Sequence, residues 1–134
     1  MPTQGFKGDH LANAVLNSVL GGAPFPVPVT VHVALYTAAP TSAGGGTEVS
    51  GGGYTRLPVA NNSVNFPPTT NQRKTNGSDF LFGTALADWG QIVWAALFDE
   101  QGNMLYAGPL SNPKSVFAGD PFKIPAGVAV FTEA

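Results

Sequence analysis

The chain has 134 residues, 43% of them hydrophobic and only 10% charged, with a formal net charge of −2. That length predicts one domain over residues 1–134 with a core that needs no staples, and the absence of cysteine excludes disulfides and thiolate metal sites. Its six basic residues are scattered, with Arg73-Lys74 the only adjacent pair, which argues against nucleic-acid binding through clustered cations.

Typical globular chains carry roughly 25% charged residues. A surface this poor in charge suits a protein packed against copies of itself or a larger assembly. The first ten residues, MPTQGFKGDH, lack a charged-then-apolar signal pattern. Leu11 to Leu20 is too short and too polar to span a bilayer. The expectation is a soluble protein made in a cytoplasm, with no membrane partner.

Residues 9–20, DHLANAVLNSVL, predict the one helix. Asp9 is its expected N-cap, and Leu11, Ala14, Val15, Leu16, Val19 and Leu20 recur at helical spacing on one face. Gly21-Gly22 ends it, and Pro24, Pro26 and Pro28 forbid continuation. Asn13 and Asn17 fall opposite the apolar face, a polar but uncharged surface for solvent or a neighbouring subunit.

From about residue 29 onward the pattern is β. Val29, Val31, Val33 and Leu35 alternate with Thr30, His32, Ala34 and Tyr36, predicting a strand with one apolar and one polar face. Two glycine triplets follow, Gly44-Gly45-Gly46 and Gly51-Gly52-Gly53, around Thr47-Glu48-Val49-Ser50. Glycine is costly to order and tolerates positive φ, so this density predicts a long connection held in a defined, exposed shape. Tyr54 to Ala60 predicts a second strand, at an edge because of Pro58, and Ser63 to Phe66 a short third.

PPTTNQRKTNGSD, residues 67–79, predicts a polar loop. Phe80 to Phe82 is a strand candidate, and Gln91 to Asp99 predicts a buried strand after a turn at Trp89-Gly90, with helix the rival given its alanines. A hairpin turn at DEQGN, with Gly102-Asn103 at its tip, leads into the return strand Met104 to Leu110. Lys114 to Phe117 and Gly127 to Thr132 complete the set. The fold class expected is mainly β: an antiparallel β-sandwich or flattened barrel with one N-terminal α-helix.

Catalytic chemistry finds little purchase. His10 and His32 lack the spacing of a metal or acid–base pair, and adjacent Asp99 and Glu100 on a hairpin point apart rather than across a cleft. No serine sits in a nucleophile elbow, and no Lys-Ser/Thr follows the glycines as phosphate binding requires. Trp89, Trp94, Phe80, Phe82 and Phe98 suit core packing better than a sugar platform. Tyr36 and Tyr54, which border the glycines, are the better candidates for exposed contacts. No enzyme activity, cofactor or metal site is expected.

Leu20-Gly21-Gly22, Val31 to Thr41, Gly44 to Arg56, Asp88-Trp89-Gly90 and Leu97-Phe98-Asp99 occur here in an order that resembles small tailed-bacteriophage virion proteins of the tail-fibre and minor structural type. The GGGTEVSGGGY string is the specific element of that resemblance. It implies a non-enzymatic virion structural protein on the particle exterior, a tail fibre or tail-associated accessory. Capsid decoration and a host-glycan-binding module, sited at the 67–79 loop and the tryptophans, are the alternatives. Its partners would be copies of itself, with a trimer suiting both locations, and other virion proteins. The candidate interface is Gly44, Gly45, Gly46, Glu48, Gly51, Gly52, Gly53 and Tyr54, with Asn13 and Asn17 on the helix.

Overall fold

The computed structural model describes residues 5–25 and 27–132; Pro26 and both extreme ends of the expected 1–134 domain lie outside the described residues. The fold is mainly β with one helix, built on a curled antiparallel sheet that forms a half-barrel. In chain order the elements are β1 Phe6–Lys7, α1 Asp9–Val19, β2 Thr30–Ala38, β3 Thr47–Glu48, β4 Leu57–Ala60, β5 Arg73–Thr75, β6 Phe80–Thr84, β7 Gly90–Phe98, β8 Met104–Val116, β9 Pro121–Ile124 and β10 Val130–Thr132. The main sheet runs β1-β8-β7-β2, and the far edge of β2 is shared by β4 and β3. Two antiparallel pairs, β5–β10 and β6–β9, supply a second layer.

Alternation along β2 and β7 divides their side chains between two cores. Val31, Val33, Leu35, Ile92 and Leu97 pack with Phe80, Phe122, Ile124 and Phe131 from the second layer. The other face is apolar as well, where alternation in β2 predicts a polar one. Ala34, Ala96 and Ala107 stand opposite one another on β2, β7 and β8, followed by Phe6 on β1, and all three alanines are wholly buried. Small side chains in that row leave room for larger ones lying across it. The Phe6 and Trp94 rings approach to 5.6 Å between centroids, and Tyr36, Phe98 and Met104 complete the cluster. The alanines that made helix a rival are therefore a packing device of a strand. His32 is half-buried in this strand, opposite Phe98 on one side and Pro58 on the other.

Several local expectations need correction. Gly8, not Asp9, occupies the N-cap, with extended backbone and no side-chain cap. Its amide donates to the Leu105 carbonyl at 2.8 Å, and a Cβ there would run into the Met104 carbonyl, so β8 fixes the start of the helix. The predicted apolar face of α1 is mostly unburied: Leu11 is covered, whereas Leu16, Val19 and Leu20 are 55%, 73% and 76% exposed. Ser63 to Phe66 is a turn, because the Asn62 side-chain oxygen accepts from the amides of Val64 and Asn65. Tyr54 precedes β4 rather than belonging to it.

The expected return strand and the Lys114 to Phe117 strand are one element, β8. Pro109 stands opposite Trp94 and Lys114 opposite Ile92, so the residues between them leave the ladder as a bulge, and Leu110 in that bulge bridges to Ala129 in the core. The 67–79 loop contains β5, and the last strand is the short β10 that pairs with it. Asn76 is the buried polar hub of this layer, 1% exposed. Its amide nitrogen donates to the carbonyls of Ser78, Ile124 and Pro125, and its oxygen accepts from the Ala129 amide. Satisfied on both atoms, it holds the ends of three segments without leaving an orphan donor.

Candidate functional site

The glycine-rich segment leaves β2 at Ala38, returns to its edge as β3 and joins it again as β4 from Leu57. Its first part closes a tight turn. The Thr41 amide donates to the Gly44 carbonyl, and the Gly44 amide returns a bond to the Thr41 carbonyl. The Ser42 carbonyl then accepts from the Asp9 amide at 2.8 Å, joining this turn to the start of α1. A shallow hollow beside it is lined by Asp9, His10, Ser42, Tyr36, Phe98 and Asn103.

The second part is a clasp across the edge of β2. β4 pairs with β2 as far as Val33 and β3 from Tyr36, so Leu35 falls between two partners. Its amide donates to the Tyr54 hydroxyl at 3.0 Å, and its carbonyl accepts from the Val49 amide at 3.0 Å. A buried strand amide without a partner carries a desolvation cost, and Tyr54 removes it. The Tyr54 hydroxyl in turn donates to Glu48 Oε2 at 2.7 Å. Arg56 Nε donates to the same oxygen at 3.0 Å and Arg56 Nη2 to Oε1 at 2.9 Å, a two-pronged pair. The Arg56 guanidinium lies 3.8 Å from the centre of the Phe98 ring.

This network sets the local ionisation. Burial pushes the Glu48 carboxyl up, but hydrogen bonds from Arg56 and Tyr54, with the Arg56 charge, outweigh it and leave it below its ordinary value. Burial and then the hydrogen bond to Glu48 raise Tyr54. Burial, reinforced by the Glu48 charge, also raises Tyr36.

The two tyrosines are therefore not exposed contacts. Tyr36 is 4% exposed, and the half-buried Tyr54 ring packs edge-on to Trp89 with its hydroxyl held inside the clasp. The glycines divide as well. Space is open beside Gly44, Gly45 and Gly51. At Gly46 a Cβ would meet the Ala38 carbonyl and Pro40 nitrogen at 2.7 Å, and at Gly53 it would meet Leu86 at 3.0 Å. Gly52, at φ 58°, would place one 3.0 Å from Trp89 Nε1, whose N–H donates to the Gly52 carbonyl. Asn13 and Asn17 are exposed on α1. The structure thus joins the Gly44 turn to the helix start, while Glu48, Gly52 and Tyr54 serve the interior.

The remaining candidates are accounted for locally. Asp99 accepts from the amides of Gln101 and Asn103 and from the Asn103 side chain, which organises the hairpin. Burial acts to raise that carboxyl, but these bonds and nearby His10, 3.9 Å away, hold it below its ordinary value. Glu100 is exposed beside it. Trp89, Trp94, Phe80 and Phe98 are buried and Phe82 is half-buried, so the tryptophans form no sugar platform. No group of three or more His, Cys, Asp or Glu able to hold a metal occurs among the described residues. No helix among them is long and apolar enough to cross a membrane.

Two features escaped sequence reasoning. One is the exposure of Leu16, Val19 and Leu20 on α1 and of Val27 and Val29 in the connector, hidden because helical periodicity reports a face and not what covers it. The other is a cavity of about 510 Å³ between the 67–75 segment and the main sheet. Its only sequence signal is the Arg73-Lys74 pair. Residues 7–132 match the model of a family described as Podophage GP4 fiber I protein gp80. No curated protein matches the chain.

Proposed function

The chain belongs to the family described as Podophage GP4 fiber I protein gp80, a podophage fibre-protein family, and from that premise we propose a non-enzymatic, tail-associated accessory of the fibre apparatus. It docks on copies of itself, or on other virion proteins, through the outward side of α1 and the connector that follows. The observation carrying this reading is the exposure of Leu16, Val19, Leu20, Val27 and Val29, from 55% to 76% on a chain with 10% charged residues. Apolar area of this kind gains roughly 25 cal/mol per Å² when a partner removes it from water. The open turn at Gly44 and Gly45 is tied to the helix start, and Asn13 and Asn17 are exposed on the same helix, so polar groups accompany the apolar ones on this side of the chain. A non-enzymatic role is supported by Asp99, whose carboxylate is occupied by turn amides.

The test is sedimentation of the full chain and of a Leu16→Glu/Leu20→Glu variant, paired with their occupancy on particles lacking the protein. We expect the parent to self-associate or bind particles, a cyclic trimer being the form anticipated, and the folded variant to do neither. A monomeric parent without affinity for particles overturns the reading. Density for the chain on the head rather than the tail would replace it with capsid decoration. Turnover of peptidoglycan or polysaccharide that is lost in Asp99→Asn would end the non-enzymatic assignment.

A further inference from the structure

The cavity beneath the 67–75 segment is lined by none of Leu16, Val19, Leu20, Val27 and Val29 and by none of the clasp residues, although an apolar groove that includes Val27 shares its Phe66, Leu97 and Tyr106. Its floor is Phe66, Leu97, Tyr106 and Phe131, and its rim is Thr69, Thr70, Gln72, Arg73 and Lys74. At about 510 Å³ it falls within the roughly 300–1,000 Å³ of typical ligand sites. The charge around it is one-sided. The chain has six basic and eight acidic residues, yet two cations and no carboxylate are among the described residues lining this space. Arg56 and Lys123 are spent on Glu48 and Asp79. Arg73 is exposed with no ion pair among the described residues, and Lys74 donates to the Phe66 carbonyl at 3.2 Å, which holds its ammonium at the rim with donors to spare. A second hollow, on the Pro67–Thr69 side of the strand, is lined by the same Arg73 and Lys74.

An apolar floor with aromatic edges suits the C–H face of a flat ring, and hydroxyl and amide groups around it suit a ring bordered by hydroxyls. Two cations with no carboxylate among the described lining residues call for an anion, and a guanidinium pairs best with a carboxylate in two-pronged geometry. A fatty chain would need an enclosed apolar tunnel, whereas this rim is polar. We propose that the cavity bound by Phe66, Tyr106, Phe131, Arg73 and Lys74 is a binding site for a sugar residue carrying a ring carboxylate, as in a uronate-containing polysaccharide. Arg73 takes the carboxylate, Thr69, Thr70 and Gln72 meet the hydroxyls, and the floor takes the ring face. The inference does not depend on the assembly reading, since Leu16, Val19, Leu20, Val27 and Val29 are not among these residues.

The test is a titration of the full chain followed by backbone amide shifts, with oligogalacturonate, its neutral methyl ester and oligoglutamate as probes. Oligogalacturonate is expected to move the amides of Thr69 to Lys74, Leu97 and Phe131, with affinity falling as salt rises. The ester, and the acid on an Arg73→Gln variant of unchanged melting temperature, should each bind about tenfold more weakly. Any of four results overturns the proposal: no shifts in that set, equal binding of the ester, indifference to Arg73→Gln, or oligoglutamate binding as tightly. The last would mark an acidic-peptide groove instead. Because the Leu16→Glu/Leu20→Glu variant keeps the cavity, loss of assembly with retained sugar binding separates the two readings.

Discussion

The 38–56 and 67–75 segments are both polar excursions that end against the same core cluster, yet they are filled in opposite ways. In the first, the chain's own groups occupy the inward space. Tyr54 inserts between Phe82 and Trp89, its hydroxyl serves Leu35, and the Gly52 carbonyl takes the indole N–H of Trp89. In the second, the inward space stays open. Among the described residues Thr69 bonds to nearby Asn71 alone, and Arg73 is exposed at the rim. Left-handed backbone occurs in both, but at Gly52 it lets two pieces of protein touch, whereas at Gln72 it turns the rim of a cavity. Gly46, Gly52 and Gly53 therefore mark close internal approach here, and the segment without glycines holds the space a ligand can enter.

The sharpest way to break that contrast is alanine at adjacent glycines of the clasp. Both Gly51 and Gly52 have positive φ, which costs about 1 kcal/mol for alanine. Only at Gly52 would the new methyl also meet Trp89 and Ala87, at 3.0 and 3.1 Å. Denaturant unfolding should show Gly52→Ala losing about 3 kcal/mol and Gly51→Ala about 1 kcal/mol. Equal losses would mean that the triplet is an ordinary turn and not a packing contact.

Next in size are the clasp's polar groups. Tyr54→Phe strands the Leu35 amide and removes a donor from Glu48, and Glu48→Gln weakens the bonds to Arg56; each should cost about 2 kcal/mol. The pH dependence follows in sign. The Glu48 carboxyl is depressed in the folded chain, so its contribution is fully present above the unfolded carboxylate value and lost as pH falls through the folded one. Asp79 and Asp99 are also depressed and add a background of the same sign. The informative quantity is the parent's stability minus that of Glu48→Gln, which should shrink on acidification. A difference that stays flat from neutral to acidic pH would show that the ion pair contributes nothing.

These effects also explain what the sequence made legible. Alternation in β2 and the buried run of β7 identified the centre of the main sheet, since strand period is local information. The Gly53-Tyr54-Thr55-Arg56 string announced a shaped connection, but its role depended on a gap at Leu35 that arises only once β3 and β4 pair with β2. Short strands such as β5 and β9 carry no period of their own and form through Asn76 and through partners distant in sequence. The cavity was least legible, because a void depends on what neighbouring segments fail to fill.

The smallest expected effect tests whether the open segment is as slack in energy as it is in space. Gln72, at φ 60°, is the one residue other than glycine with positive φ among the described residues. Gln72→Gly would relieve about 1 kcal/mol of left-handed strain, but the freer unfolded chain takes back roughly the same amount. The two terms oppose, so stability should move by less than about 0.5 kcal/mol, in contrast to the loss at Gly52 made by the opposite exchange. A gain well above that would mean that surrounding structure forces Gln72 into place, and the segment would then be a strained wall rather than a relaxed one. A comparable loss would mean that the Gln72 side chain packs against the rim, making 67–75 a second clasp and ending the contrast between the two segments.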